Sequence, residues 1–325
     1  MPKGLHLSIL EFGCIRAMLF AAVLAPMANL DAQNPISQNV DRAQLLRNSQ
    51  LGLREPESSV AAEEEQIAAS PNDPDLGEQA ILKRSSRYQP WTFFAAIPIS
   101  YTSNVALSSM NEQGDVLFTP SVGISFSPKL TRTLFANISV SQQFFYYDRF
   151  DDLDFGSFDF RAGLNYSIPQ WRNLILRADY AFNRLTSGDG LDDEFYTSHS
   201  LNFGAEMPFR LGRAQQLSVG VDLSFNLDSD PEGPGRHEYG AFAAYSLALT
   251  RSFSLGAGLR LAVRDYVEGD RTDLSASFAL NASYRITRWL SANASASFAS
   301  NESNQEGFDY DVANLGGALS LTLRF

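Results

Sequence analysis

Residues 91–325 alternate apolar with polar or small positions at a period of two, the mark of strands with one apolar face. Leu217, Val219, Val221, Leu223 and Phe225 alternate with Ser218, Gly220, Asp222 and Ser224. Leu274, Ala276, Phe278, Leu280, Ala282 and Tyr284 alternate with Ser275, Ser277, Ala279, Asn281 and Ser283. Such runs exceed the roughly five or six residues usual in soluble proteins and match the roughly nine to eleven that cross a bilayer.

Two kinds of break separate the runs and take turns. The short kind, at 128–132, 170–172, 208–213, 250–252 and 287–289, carries seven bases and no acids. The longer kind is acidic, as at 187–195, 228–236 and 301–308, with Asp192, Asp193, Asp228, Asp230, Glu302 and Glu306. The arginines of the short breaks, 132, 172, 210, 251 and 288, lie 40, 38, 41 and 37 residues apart, and a further 37 lands on Phe325. One step back from Arg132 lands near Trp91, where alternation begins. Six hairpins of this length predict an all-β fold, a transmembrane antiparallel up-and-down β-barrel of twelve strands with both ends on one rim. Strand boundaries read this way leave ten and fourteen as neighbouring counts. Trp91, Trp171 and Trp289 fall at the short-turn rim. Tyr101, Phe144, Phe145, Tyr146, Tyr147, Tyr196, Tyr239, Tyr266 and Tyr310 fall at the other, so two interfacial aromatic belts are expected.

Upstream the texture differs. Lys3 and Arg16 precede a short apolar run, 17–27, and then small residues at Ala28 and Ala32, which reads as a signal peptide over 1–32. Residues 33–89 read as a polar, largely unstructured periplasmic extension, with 60–69 its one short helical stretch, and the barrel as 90–325. Glu63, Glu64 and Glu65 suit a basic lumen, so part of 57–78 is a candidate internal gate.

A net charge of -12 argues against a nucleic-acid partner, and one Cys with three His leaves too few ligands for a Cys/His metal centre. No cofactor is expected. Leu315, Leu319, Leu321, Leu323 and Phe325 share one face of the last strand, with Gly317 the gap. In this closing strand the chain resembles porin-like Gram-negative outer-membrane β-barrel proteins, over 91–325. The resemblance implies insertion among outer-membrane lipid and lipopolysaccharide, and recognition by the barrel-assembly machinery through Leu319, Leu321, Leu323 and Phe325. The first hairpin, with Tyr101-Thr102-Ser103-Asn104-Val105, Asp115 and Pro120-Ser121-Val122-Gly123, is similar to poorly characterised porin-like families, which implies solute passage.

Outer-membrane phospholipases and lipid A deacylases set a lipid-facing His two residues before a Ser. Here His199 is followed by Leu201 at that position, and Ser200 has the opposite parity, so no enzyme is expected. His237 has no evident nucleophile partner. By polar parity the lumen holds Arg161, Arg177, Arg260, Arg264, Arg285 and Arg324 against Asp159, Asp179, Glu206 and Asp222. The C-terminal strands add Gly256, Gly258, Ser275, Ser295 and Gly316, which fill little volume. Selectivity candidates are Arg161, Arg177, Asp179, Asp222, Arg260, Arg264, Arg285 and Arg324. The expected function is passive, porin-like passage of small hydrophilic solutes with an anion preference. The alternatives are charges that pair across and close the barrel, leaving a structural or surface-interaction protein with acidic loops, and, third, a lipid-facing hydrolase. The sequence does not define oligomeric state.

Overall fold

The structure, a computed structural model, describes residues 35–49, 88–110, 112–188 and 191–325. The expected signal peptide and the gate expected within 57–78 lie outside the described residues. The strands are β1 (Trp91–Thr102), β2 (Asp115–Phe118), β3 (Ser121–Phe126), β4 (Leu134–Tyr147), β5 (Phe155–Ile168), β6 (Leu174–Ser187), β7 (Glu194–Arg210), β8 (Gln215–Asp230), β9 (Arg236–Ala248), β10 (Phe253–Tyr266), β11 (Thr272–Arg285), β12 (Leu290–Ser303) and β13 (Tyr310–Arg324). Every neighbouring pair is antiparallel, and β13 returns to β1 from Thr92 opposite Arg324 to Thr102 opposite Asn314. The sheet is closed.

Thirteen assigned strands make twelve staves. On β1, Ile99 faces Phe118 of β2 and Ala96 faces Ser121 of β3, so one unbroken register runs through both. The gap between them is Thr119-Pro120, beside Pro98 of β1. Neither proline has an N–H for the ladder. Their carbonyls still accept, Pro98 from Thr119 N at 3.0 Å and Pro120 from Phe144 N at 3.0 Å, so the stave continues through the gap.

Register divides every strand into an outward and an inward set. On β10, Phe253, Leu255, Ala257, Leu259, Leu261 and Val263 point outward until Asp265 ends the run, and the outward neighbours Leu274 and Tyr239 end the apolar band at the same level. At about 3.3 Å per residue and a tilt near 40°, that run covers about 25 Å of height, the thickness of a hydrocarbon band. Above it the strands continue. They run 14 to 17 residues from β4 onward, except β9 with 13, so much of the expected acidic loops at 228–236 and 301–308 is strand. The turns between β5 and β6 and between β7 and β8 carry the expected Arg172 and Arg213; Arg172 and Asn173 sit at positive φ (54° and 57°), which closes the first of these tightly.

Trp91, Trp171 and Trp289 are exposed at the turn rim, as expected. The opposite belt needs correction. Tyr101, Phe144, Tyr146 and Tyr239 point outward, but Phe145, Tyr147, Tyr196, Tyr266 and Tyr310 have inward parity and are buried inside the barrel.

Phe145, Tyr147, Tyr196 and Tyr310 pack against a helix, α1 (Pro35–Ser49), lying in the lumen. Within the extension expected to be largely unstructured and periplasmic, this segment is the exception. Ile36, Val40, Ala43 and Leu46 recur at steps of four, three and three, one helical stripe, with Pro35 at the start and Arg47 in the last turn beside the negative end of the dipole. Ser37, near the Pro35 end, lies among loop residues Gly233, Glu268 and Gly269, whereas Leu45 and Ser49 lie against Ser277, Ala279 and Ser297 at mid-height. α1 therefore enters from the loop rim and points inward.

Replacing outward Leu259 at mid-height by Arg should cost about 2–4 kcal/mol of folding free energy in lipid, against under about 1 kcal/mol for Asp265→Arg at the rim. Urea titration of the protein in bilayers measures both. Equal costs would displace Leu259 from the lipid face.

Candidate functional site

The site is the lumen beneath the loop rim, where β8 to β11 bring their inward charges together around α1. Arg236, Arg260 and Arg264 face Asp222 and Glu238 on the wall. Glu238 accepts from Arg260 at 2.5 Å and from Arg264 at 3.2 Å, and lies 3.8 Å from Arg236. Arg260 also pairs with Asp222. Gly240 makes that pair possible, since a Cβ there would lie 2.6 Å from Arg260 Nη2 and 2.6 Å from Asp222 Oδ2. Arg264 is fully buried, and its Nη1 donates to Asn301 Oδ1 at 3.2 Å; Asn301 in turn donates to Asp273, the partner of Arg271.

The wall thus holds three cations and two anions, and α1 supplies the third anion. Asp41 Oδ1 pairs with Arg236 at 2.6 Å and lies 3.6 Å from Arg264 Nη1. Asp41 is buried, and so are both of its partners' guanidiniums. Gln44 Nε2 donates to both Glu238 oxygens at 2.7 and 2.6 Å, while its oxygen accepts from Arg236. One helical face therefore completes the charge of the wall. Breaking a buried pair of this kind by removing one partner costs about 3–5 kcal/mol, because the other charge stays behind.

A second seat lies across the lumen. Arg42, buried, donates from Nη1 to Thr102 Oγ1 at 2.8 Å and from Nη2 to the carbonyls of Asn104 and Val105 at 2.6 and 2.7 Å. Those carbonyls belong to the β1–β2 loop, which folds inward. Asn104 pins it by donating to Ser108 O and Asp311 O at 2.8 and 2.9 Å. Leu107 is fully buried with Leu45, Ala299, Tyr310 and Val312, at a φ of 47° that costs a branched side chain about 1–2 kcal/mol. Packing on α1 and Val312 offsets that strain. The apolar stripe of α1 meets Phe145, Tyr147, Phe155, Leu185 and Tyr196, with Phe145 and Phe155 stacked at 4.1 Å. Arg47 reaches Asp159 at 2.8 Å.

All eight selectivity candidates have inward register, but they do not form one site. Arg260, Arg264 and Asp222 belong to the cluster. Arg177 pairs with Glu206 at 2.5 Å nearer the turn rim, and Asp179 accepts from Asn202 at 3.0 Å. Arg161 lies opposite Ala181 of β6, and Arg285 and Arg324 sit at the turn rim. Sequence reasoning missed Arg236, Glu238, Asp273 and Asn301, and it missed α1. Parity held the signal for all four: each is an even number of residues from an inward Arg264, Ser275 or Ser295 on its own or the adjoining strand. His199 faces outward, as its parity implies, with Nδ1 2.6 Å from the Tyr180 hydroxyl; Ser200 faces inward.

Comparison with known proteins places this geometry. No family model and no curated protein matches the sequence. Among solved structures, an outer membrane channel from Pseudomonas putida F1 matches with a TM-score of 0.53 at 14% identity, over 76% of this chain and 100% of that one. The fold is that of this outer membrane channel, one closed antiparallel β-barrel. The barrel also matches the NanC porin (TM-score 0.41, 9% identity, 70% of this chain and 100% of that one). A third match is the translocator domain of the autotransporter NalP from Neisseria meningitidis (0.40, 11%, 74% and 90%).

In this barrel, Gly240→Ala should drive Arg260 and Asp222 apart and cost about 1–3 kcal/mol, the range for overpacking a filled site. The temperature at which the protein loses its compact, fast-migrating form on a gel measures it. No shift would mean that the pair does not occupy that space.

Proposed function

We propose that the chain is an outer-membrane channel for small hydrophilic solutes, closed in this conformation by α1 and the inward β1–β2 loop. One observation carries the reading. The barrel closes through its own strands, β13 on β1, and α1 adds nothing to that ladder. It occupies the lumen without being part of the wall, which supports a passage behind it. The wall it leaves would be hydrated: Ser275, Ser277, Asn281, Ser295, Ser297 and Ser320 on one side, arginines and carboxylates on the other. Passage is by diffusion, with arginines favouring anions. The solved channel of the same fold, from Pseudomonas putida F1, is consistent with it.

The rest of the proposal follows the general build of such barrels, with short turns on the periplasmic side and longer loops outside. Leu319, Leu321, Leu323 and Phe325 lie on the lipid-facing side of the closing strand and serve as the assembly signal, and the outer loops meet lipopolysaccharide. His199, bonded to Tyr180 and followed by Leu201 where a serine would be needed, supports a channel over a lipid-facing hydrolase.

The filled outer half favours a second reading, a closed barrel that acts through its loops. Single-channel recording of the full chain in planar bilayers separates the two. The wild type should be closed most of the time, and Asp41→Ala, Arg42→Ala and Arg47→Ala together should raise open probability by about tenfold or more, given the buried pairs removed. Silence of the folded triple variant would establish the closed barrel.

A further inference from the structure

Asp41 fits its seat incompletely. Its Oδ1 serves both Arg236 and Arg264, at 2.6 and 3.6 Å, while Oδ2 is buried without a hydrogen bond. Held on α1 in this pose, the Asp41 carboxylate reaches both guanidiniums with one oxygen. A free one can present an oxygen to each in the shorter, charge-assisted geometry that guanidiniums favour. The buried, unsatisfied oxygen is a standing cost that a free carboxylate would not carry.

A route to the seat is present. At the loop rim a cavity of about 430 Å³ is lined by Ser37 of α1 and by Tyr266, Glu268, Arg271 and Phe308. Arg271 lies between the rings of Tyr266 and Phe308, its guanidinium 4.0 and 3.7 Å from their centroids. Tyr266 is the partition between cavity and seat, for its hydroxyl accepts from Arg236 Nη1 at 2.8 Å. A solute in the cavity is one side chain away from the arginines.

We propose that Arg236 and Arg264 form a carboxylate-binding station of the lumen, held here by the chain's own Asp41. Carboxylate-bearing solutes that enter at the loop rim compete with Asp41 for it and so release α1. The proposal deepens the channel reading and rests on it for its physiological meaning: the solute class would be small organic acids, and the solute would open its own path. Charge agrees with the scheme, since the wall cluster without Asp41 keeps three cations against two anions.

α1 carries its own reporter. Arg42 and Arg47 are trypsin sites, and Arg42 is buried while the helix is seated. The experiment is trypsin digestion of the folded full chain in detergent micelles, with acetate replacing chloride at fixed ionic strength and cleavage after Arg42 read by fragment mass. Cleavage of the wild type should be about tenfold faster in acetate, the population shift that a competitor of modest affinity produces. Asp41→Asn removes the internal carboxylate, so it should be cleaved rapidly in both salts. Asp41→Glu keeps a carboxylate and should retain the acetate dependence. Equal wild-type rates in the two salts would overturn the station, as would an Asp41→Asn protein that still responds to acetate. Conductance in the same two salts is read separately. Acetate-dependent cleavage without current would leave the station standing and sink the channel reading, and current that ignores acetate would do the reverse.

Discussion

A strand in hydrocarbon has no water to satisfy the N–H and C=O groups of an open edge, and each such group left bare costs several kcal/mol. That constraint demands the ladder between β13 and β1, and the rest of the structure follows from it. Closure pairs the two ends, with Trp91 and Phe325 exchanging backbone hydrogen bonds at 3.1 Å. Closure also explains how two prolines survive in neighbouring staves: Pro98 and Pro120 lie at nearly one level, so the missing donors form a single local gap and both carbonyls stay occupied.

Once the ring closes, parity is set for every residue. Apolar side chains take the lipid face, and Asp159, Arg161, Arg177, Asp179, Asp222, Arg260 and Arg264 turn into the lumen. The interior then has to accommodate guanidiniums with little solvent near the loop rim. Arg264 is the extreme case, fully buried, with Glu238 and Asn301 accepting from its Nε and Nη1, Asp41 3.6 Å away, and its Nη2 without a hydrogen-bond partner. The wall does not balance its own charge there. α1 does, through Asp41 against Arg236 and Arg264.

The two walls of the lumen differ in kind. The C-terminal strands turn Gly256, Gly258, Ala279, Ser295, Gly316 and Ala318 inward, which leaves room for a helix. The opposite wall bears Phe145, Tyr147, Phe155 and Tyr196, which grip its apolar stripe. Where an aromatic side chain does turn inward elsewhere it lies flat, as Phe242 does over Gly220, where a Cβ would lie 2.5 Å from the ring. Bulky and small positions together shape a seat on one side and clearance on the other.

Much of this was legible from local pattern alone. Alternation with a period of two, the spacing of Arg132, Arg172, Arg210, Arg251 and Arg288, and the apolar face ending at Phe325 determined a twelve-stave barrel and the facing of each strand, because pleating ties facing to sequence position without reference to anything distant. The inward arginines were legible for the same reason. α1 was missed, although the steps of Ile36, Val40, Ala43 and Leu46 carry its stripe, because a lone helix of fifteen residues is marginal in water and only the aromatic wall makes it persist. Only the tertiary structure decided that this helix lies within the lumen, that Tyr196, Tyr266 and Tyr310 serve the interior and not the membrane interface, and that Asp41 meets Arg236 and Arg264 across nearly two hundred residues of chain. Parity says which way a side chain points; which charge it meets there depends on where a segment outside the ladder comes to rest, and no local period encodes that.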